Sequence, residues 1–264
     1  MSEHNIEVES GKSLRLKTAG KYCDRDIIVT ATGGGGGDTE AAYQEGLVVG
    51  IEQGKQAEYD AFWDSFQQNG ERTDYKNSFG TYGWTTENFK PKYDMFPKSS
   101  YGMFSENTLS IDLQATLEEL GVTLDFKNCT NLNFTFFKSK FTRVGIVDTR
   151  SCTSALSQVF SSCPNLHTID KVILRDDGTS KLVPLTFTSS GKIANITFEG
   201  VIGVDFDFSA PQALTDESIQ SVIDALKDLT GETALTVTFC AGVGAKLTDE
   251  QKATITAKNW TLVY

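Results

Sequence analysis

Three aspartates are the residues whose types and spacing most suggest chemistry. Asp125 stands in Leu124-Asp125-Phe126, Asp148 in Val147-Asp148-Thr149 and Asp170 after Ile169. The first two are 23 positions apart (148 − 125) and the third follows 22 later (170 − 148). If the apolar neighbours point into a core, each aspartate points out, because side chains alternate along a strand. Stacked, the three would align as an acidic row suited to a cation or to a basic or hydroxyl-rich ligand. The competing expectation is that each carboxylate bonds backbone amides of neighbouring turns. His167, at a variable position of the third unit, joins Asp125, Asp148 and Asp170 as a candidate ligand-binding residue.

Catalysis has little to stand on. Of the two histidines, His4 lies near the start of the chain. No nucleophile elbow or zinc signature occurs. Gly11-Lys12-Ser13 imitates a phosphate loop, but the glycine required five positions before Gly11 is Ile6. Asp205 and Asp207 alternate with Phe206 and Phe208 and are expected on a solvated face. No catalytic residue, metal or cofactor is therefore expected. The five cysteines, Cys23, Cys129, Cys152, Cys163 and Cys240, form no Cys-x-x-Cys pair. Cys129 and Cys152 recur at one place in successive units, which points to small buried thiols rather than redox or metal chemistry.

The elements that must position these residues are repeats. Leu124-Asp125-Phe126-x-x-Cys129-Thr130 superposes on Val147-Asp148-Thr149-x-x-Cys152-Thr153, and a repeat of about this length marks a stacked solenoid. Strands are expected at 122–126, 143–149, 166–174, 193–199, 234–240 and 260–264. Shorter pieces at 132–136, 185–188 and 204–208 form a less regular second side, and 182–208 departs from the step. Leu214-Thr215-Asp216-Glu217 and Leu247-Thr248-Asp249-Glu250 are identical and 33 residues apart (247 − 214). Thr215 and Thr248 read as helix caps, the second in a capping box with Gln251, so residues 106–264 end in two helix–strand units.

The N-terminal part is organised differently. Residues 1–32 carry short alternating runs broken by turn signals, a small β unit. Gly33 to Gly37, closed by Asp38, is a linker with nothing to pack. Residues 39–69 have helical spacing, with Gly46, Gly50 and Gly54 on one stripe. That stripe either docks on its own chain or serves homo-oligomerisation. Residues 70–105 are crowded with aromatics and read as a connector that caps the first repeat, with a carbohydrate-stacking platform as the alternative.

Formal net charge is −11, from 24 basic and 35 acidic residues, which argues against sequence-independent nucleic-acid binding. No window reaches the roughly 18 consecutive apolar residues of a membrane helix, so no membrane insertion is expected. The opening Met1-Ser-Glu-His-Asn-Ile lacks the basic end and apolar run of a secretory signal.

The segments FxxCTNL (126–132) and FSSCPNLHTIDKVIL (160–174) resemble BspA-like leucine-rich repeats, as does the closing LTDEQKATITAKNWTLVY. The stretch EYDAFWDSFQQNGERTDYKNSFGTYGWTTENFKPKYDM resembles a lead-in found before such repeats in gut-type bacteria and their prophages. The opening VESGKSLRLKTAGKYCDRDIIVTATGG resembles a short unit of phage structural and tail-associated proteins. The resemblance implies an α/β chain with a short irregular leucine-rich-repeat solenoid, preceded by the β unit, linker and helix. It implies a non-enzymatic virion protein, assembled in the bacterial cytoplasm, that binds a host cell-surface protein or glycan and attaches to other virion proteins through residues 1–32. A bacterial repeat adhesin or protein-interaction module is the alternative, and a glycan-active enzyme ranks last.

Overall fold

The computed structural model describes residues 13–20, 23–30, 75, 77–80 and 84–264. The chain divides into two units, residues 1–70 and 71–264. In the first, β1 (Ser13–Gly20) and β2 (Cys23–Thr30) pair antiparallel from Ser13 opposite Thr30 to Gly20 opposite Cys23. The two intervening residues are the commonest hairpin length. The glycine run at 33–37, the expected helix at 39–69 and its Gly46, Gly50 and Gly54 lie outside the described residues.

The second unit is mixed α/β with small parallel sheets. Its elements are α1 (Leu113–Glu119), β3 (Arg143–Asp148), β4 (Thr168–Ile173), β5 (Asn195–Glu199), β6 (Phe206–Phe208), α2 (Asp216–Ala225), β7 (Leu235–Phe239), α3 (Ala241–Gly244), α4 (Asp249–Ala257) and β8 (Trp260–Val263). Two three-stranded sheets, β3-β4-β5 and β6-β7-β8, are parallel throughout. The isolated bridges Met95–Leu124, Ser99–Asn131, Asp112–Arg143 and Ile202–Leu226 are parallel too. Parallel neighbours oblige the chain to travel around and return between strands. Arg143 pairs with Thr168 and Thr168 with Asn195, so those circuits take 25 and 27 residues (168 − 143, 195 − 168).

A column of rings runs through these circuits. Phe79, Phe104, Phe136, Phe160 and Phe187 stack in sequence, with centroids 5.2, 5.5, 5.5 and 5.4 Å apart and planes within 24° of parallel. Phe208 meets Phe187 edge-on at 4.9 Å. All six are buried. Trp84 and Phe89 close edgewise or tilted around Phe79. The stretch 182–208, irregular as sequence, thus keeps the circuit through Phe187 and β5.

The backbone around the rings is a ladder of turns, not strands. The N–H groups of Gly102, Phe104 and Glu106 donate to Asn133, Thr135 and Phe137 carbonyls, and those of Phe134, Phe136 and Lys138 to Ser157, Val159 and Ser161. The N–H groups between them fold back on their own circuit, as Thr135 to Leu132 and Phe137 to Phe134. Left-handed residues four apart accompany this pattern: Phe134 and Lys138 (φ 59° and 56°), then Gln158 and Ser162 (55° and 58°). Each costs roughly 1–2 kcal/mol in backbone conformation, offset by the inter-circuit hydrogen bonds and buried rings.

The expected strand at 122–126 is one bridge, at Leu124, because the Asp125 carboxylate takes the Lys127 N–H and turns the chain. The expected short segments 132–136 and 185–188 are turns. The Leu-Thr-Asp-Glu tetrapeptides start helices. Thr215 accepts the Ser218 N–H, and Thr248 and Gln251 form the capping box. Gln251 Nε2 donates to Gln220 Oε1 at 3.1 Å, joining α4 to α2. Lys258 then closes the C-terminus of α2, its ammonium donating to the carbonyls of Ile223, Asp224 and Leu226 at 2.9, 3.0 and 2.8 Å, where cations suit the helix dipole. Among the described residues no helix is long and apolar enough to cross a membrane.

Where β5 ends its sheet, α2 stands in for a fourth strand. The N–H groups of Ile196 and Phe198 donate to the hydroxyls of Ser218 and Ser221, at 2.9 and 2.8 Å. Serines three apart on a helix face match alternate N–H groups of a strand because both spacings are near 5–7 Å. Replacing Ser218 by Ala strands a buried amide and is expected to cost about 1–3 kcal/mol. The same holds for Ser221→Ala. Denaturant titration checks this, and unchanged midpoints for both variants would show that the two hydroxyls do not hold the edge of β5.

Candidate functional site on the outer face of the first parallel sheet

The inward face of β3-β4-β5 is apolar: Val144, Val147, Ile169, Val172, Ile196 and Phe198 are buried. The outward face is set by a bulge. β3 and β4 pair at a constant step of 25, but β4 and β5 change from 27 (Ile169 with Ile196) to 26 (Val172 with Phe198). Asp170 and Lys171 therefore lie together opposite Thr197. A bulge breaks the alternation of a strand and re-aims side chains. Here Asp170 and Lys171 are both half-buried on a strand whose neighbours Ile169 and Val172 are buried.

Asp170 holds the site together. Arg143 Nε and Nη2 donate to its two carboxylate oxygens at 2.7 and 2.9 Å, a bidentate pair across adjacent strands. Arg143 Nη1 also lies 3.6 Å from Asp112 Oδ2, and Asp112 caps α1 by accepting the Ala115 N–H at 2.8 Å. The hydrogen bonds that Arg143 donates to Asp170 push the Arg143 pKa above its usual value. Gly145 gives α1 access to the sheet: a Cβ there would collide with the Gln114 side chain. Lys171 pairs with Glu199 at 2.7 Å.

Beside this pair lies a groove of about 400 Å³, lined chiefly by Thr168, Asp170, Asn195, Thr197, Thr215 and Glu217. Its floor comes from β4 and β5 and its wall from the start of α2. His167 sits at the rim, exposed, its Nδ1 3.3 Å from Thr168 Oγ1 and 3.4 Å from Asn195 Nδ2. The site offers hydroxyls, an amide, an imidazole and carboxylates to a ligand that arrives from solvent. Among the described residues no three His, Cys, Asp or Glu side chains converge into a metal cage.

The three aspartates do not form one outward row. Asp148 pairs with Ile173, three residues beyond Asp170. It is 4% exposed, its Oδ1 accepting the Arg150 N–H at 3.0 Å and its Oδ2 bound by Arg150 Nη2 at 2.7 Å. Asp125 makes the same turn with Lys127, at 2.8 Å. Asp125 and Asp148 are thus turn-forming partners one step apart, while Asp170 belongs to the middle of a strand. The motif alignment set Asp170 22 residues after Asp148, whereas the strands pair at a step of 25, and this difference of three is how it misplaced the third acid. Of the four predicted residues the structure places Asp170 alone in the groove lining; His167 lies beside it against Thr168 and Asn195, and Asp125 and Asp148 lie outside. Arg143, Asn195, Thr197 and Glu217 were not singled out from the sequence. The signal available was an Arg and an Asp 27 apart (170 − 143) on expected neighbouring strands, and it needs the register to be read.

Compared with family models, curated proteins and solved structures, the chain matches none.

Proposed function

We propose that this chain is a non-enzymatic virion protein, associated with a phage tail or fibre, whose second unit adheres to a host surface. Its parallel circuits are taken as the turns of a short, irregular leucine-rich-repeat solenoid, and residues 1–32 as the attachment to other virion proteins. The observation that carries the reading is the polar outer face of β3-β4-β5. Arg143, Asp170 and Asn195 come from three successive strands, so binding groups are laid out across circuits and held by a bidentate ion pair. Stacked circuits present such rows as binding surfaces, and the BspA-like and tail-protein resemblances of the sequence point the same way.

The test is saturable adsorption of the fluorescently labelled full chain to a panel of bacterial cells, with unlabelled chain as competitor. Thr197 is exposed in the middle of β5 and lines the groove, so Thr197→Arg fills the groove without touching the core. We expect saturable adsorption to at least one strain, weakened at least tenfold by Thr197→Arg at unchanged melting temperature. Absence of saturable adsorption across the panel overturns the adhesion reading. Adsorption indifferent to Thr197→Arg removes it from this face.

A further inference from the structure

We propose that the groove between β4, β5 and α2 takes a neutral, hydroxyl-rich ligand, a saccharide ring whose adjacent hydroxyls are held by Glu217, Asn195 and Thr197; this rests on the adhesion reading and names its ligand class. The charge balance makes the choice. Asp170 already receives two hydrogen bonds from Arg143, so its charge is compensated at the groove floor. Glu217, exposed on the first turn of α2, enters no ion pair among the described residues and is the remaining full charge in the lining. A cation would meet one free carboxylate with a guanidinium behind the other. An anion would face Glu217. An apolar ligand would desolvate hydroxyls and an amide without replacing their bonds.

A polyol satisfies what the groove leaves open. Thr197 Oγ1 is exposed on the outer face. Asn195 Nδ2 has only long contacts, 3.4 Å to His167 and 3.5 Å to Thr168, and can donate elsewhere. Glu217 accepts from ligand hydroxyls through charge-assisted bonds, which are stronger than neutral ones. Asn195 donates and Thr197 does both, matching the alternating donor–acceptor character of vicinal hydroxyls. The volume, about 400 Å³, lies within the range of small-ligand sites. The bulge contributes by putting Asp170 and Lys171 opposite the single Thr197, so the face carries one more polar side chain than a regular strand would present.

The experiment titrates the full chain, followed by amide and side-chain NMR, with glucose, galactose, mannose, N-acetylglucosamine, rhamnose and lactose. Arginine methyl ester and N-acetylneuraminic acid serve as cationic and anionic probes. We expect at least one neutral sugar to shift the Asn195 side-chain amide and the Thr197 and Thr215 amides saturably. Glu217→Gln should weaken that binding about tenfold at unchanged melting temperature. A groove that responds to the arginine ester or to N-acetylneuraminic acid and to no neutral sugar overturns the inference, as does silence to every sugar. Sugar binding unaffected by both Glu217→Gln and Thr197→Arg overturns its placement. Adsorption to cells without a sugar response sinks the ligand class and leaves the adhesion reading intact; a sugar response without adsorption does the reverse. When both occur, periodate treatment of the cells assigns the source: lost adsorption marks a surface glycan, and retained adsorption marks a free sugar.

Discussion

Phe136→Ala is expected to destabilise the second unit by about 3–5 kcal/mol, the usual cost of truncating a buried phenylalanine to alanine. Phe136 is the central ring of the column. It stacks on Phe104 at 5.5 Å and on Phe160 at 5.5 Å, with planes 6° and 4° from parallel, and meets Phe126 and Phe141 edge-on. Its backbone N–H donates to Val159, so ring and ladder are anchored at one residue. Loss of the ring opens a cavity shared by three circuits and removes two stacking contacts, each worth about 0.5–1.5 kcal/mol beyond burial. Domains are stable by about 5–15 kcal/mol, so the variant should sit near the edge of folding at 37 °C. Phe136→Leu keeps most of the volume and should cost clearly less. Urea unfolding of both variants checks this. A Phe136→Leu midpoint as low as that of Phe136→Ala would overturn the volume argument and show that ring geometry alone holds the column.

The second large effect is alkaline instability from the buried thiols. Cys129, Cys152 and Cys163 are fully buried. Burial raises the Cys152 pKa from 9.0 to about 12 and that of Cys163 to about 11, and it raises Cys129 as well. A thiolate would need solvation that the core does not provide. Cys152 Sγ instead lies 3.4 Å from the Cys129 carbonyl and Cys163 Sγ 3.0 Å from that of Phe136. The sign follows from proton count. Above pH 9 the unfolded chain releases these protons while the folded chain keeps them, so the unfolded state gains. The stability is complete below about pH 9 and falls as pH rises toward the folded values. At pH 11 Cys152 and Cys163 together should cost on the order of 5 kcal/mol, at 1.36 kcal/mol per pKa unit. The Cys152→Ala/Cys163→Ala double variant starts less stable but should lose far less between pH 8 and pH 11. Parallel pH profiles for the two proteins would show that other groups drive the alkaline transition.

Several parts of this architecture were legible in the chain. The apolar pairs Val144 and Val147, Ile169 and Val172, and Ile196 and Phe198 mark β3 to β5, and the Leu-Thr-Asp-Glu tetrapeptides mark the caps of α2 and α4, because a threonine hydroxyl serving the N–H three residues on is a local interaction. The turn ladder was not legible. Its residues 132–138 carry Leu, Phe, Thr and Phe in an order that suits a strand, and the left-handed φ of Phe134 and Lys138 has no local cause. It is imposed by the carbonyls of the next circuit.

What the sequence alone determined is therefore local and periodic: that the chain repeats, that Cys129 and Cys152 occupy one repeated place, and where the helices begin. The tertiary structure decided which repeats face which. The 25-residue strand step, the bulge at Asp170–Lys171 and the bidentate grip of Arg143 separate Asp170 from Asp125 and Asp148 and assign it to a groove with Asn195, Thr197 and Glu217. The physical reason is register. A motif fixes what a residue bonds within a few positions, but a shift of three in the pairing of distant strands decides whether an acid closes a turn or meets a ligand, and that shift is set by core packing across the circuits.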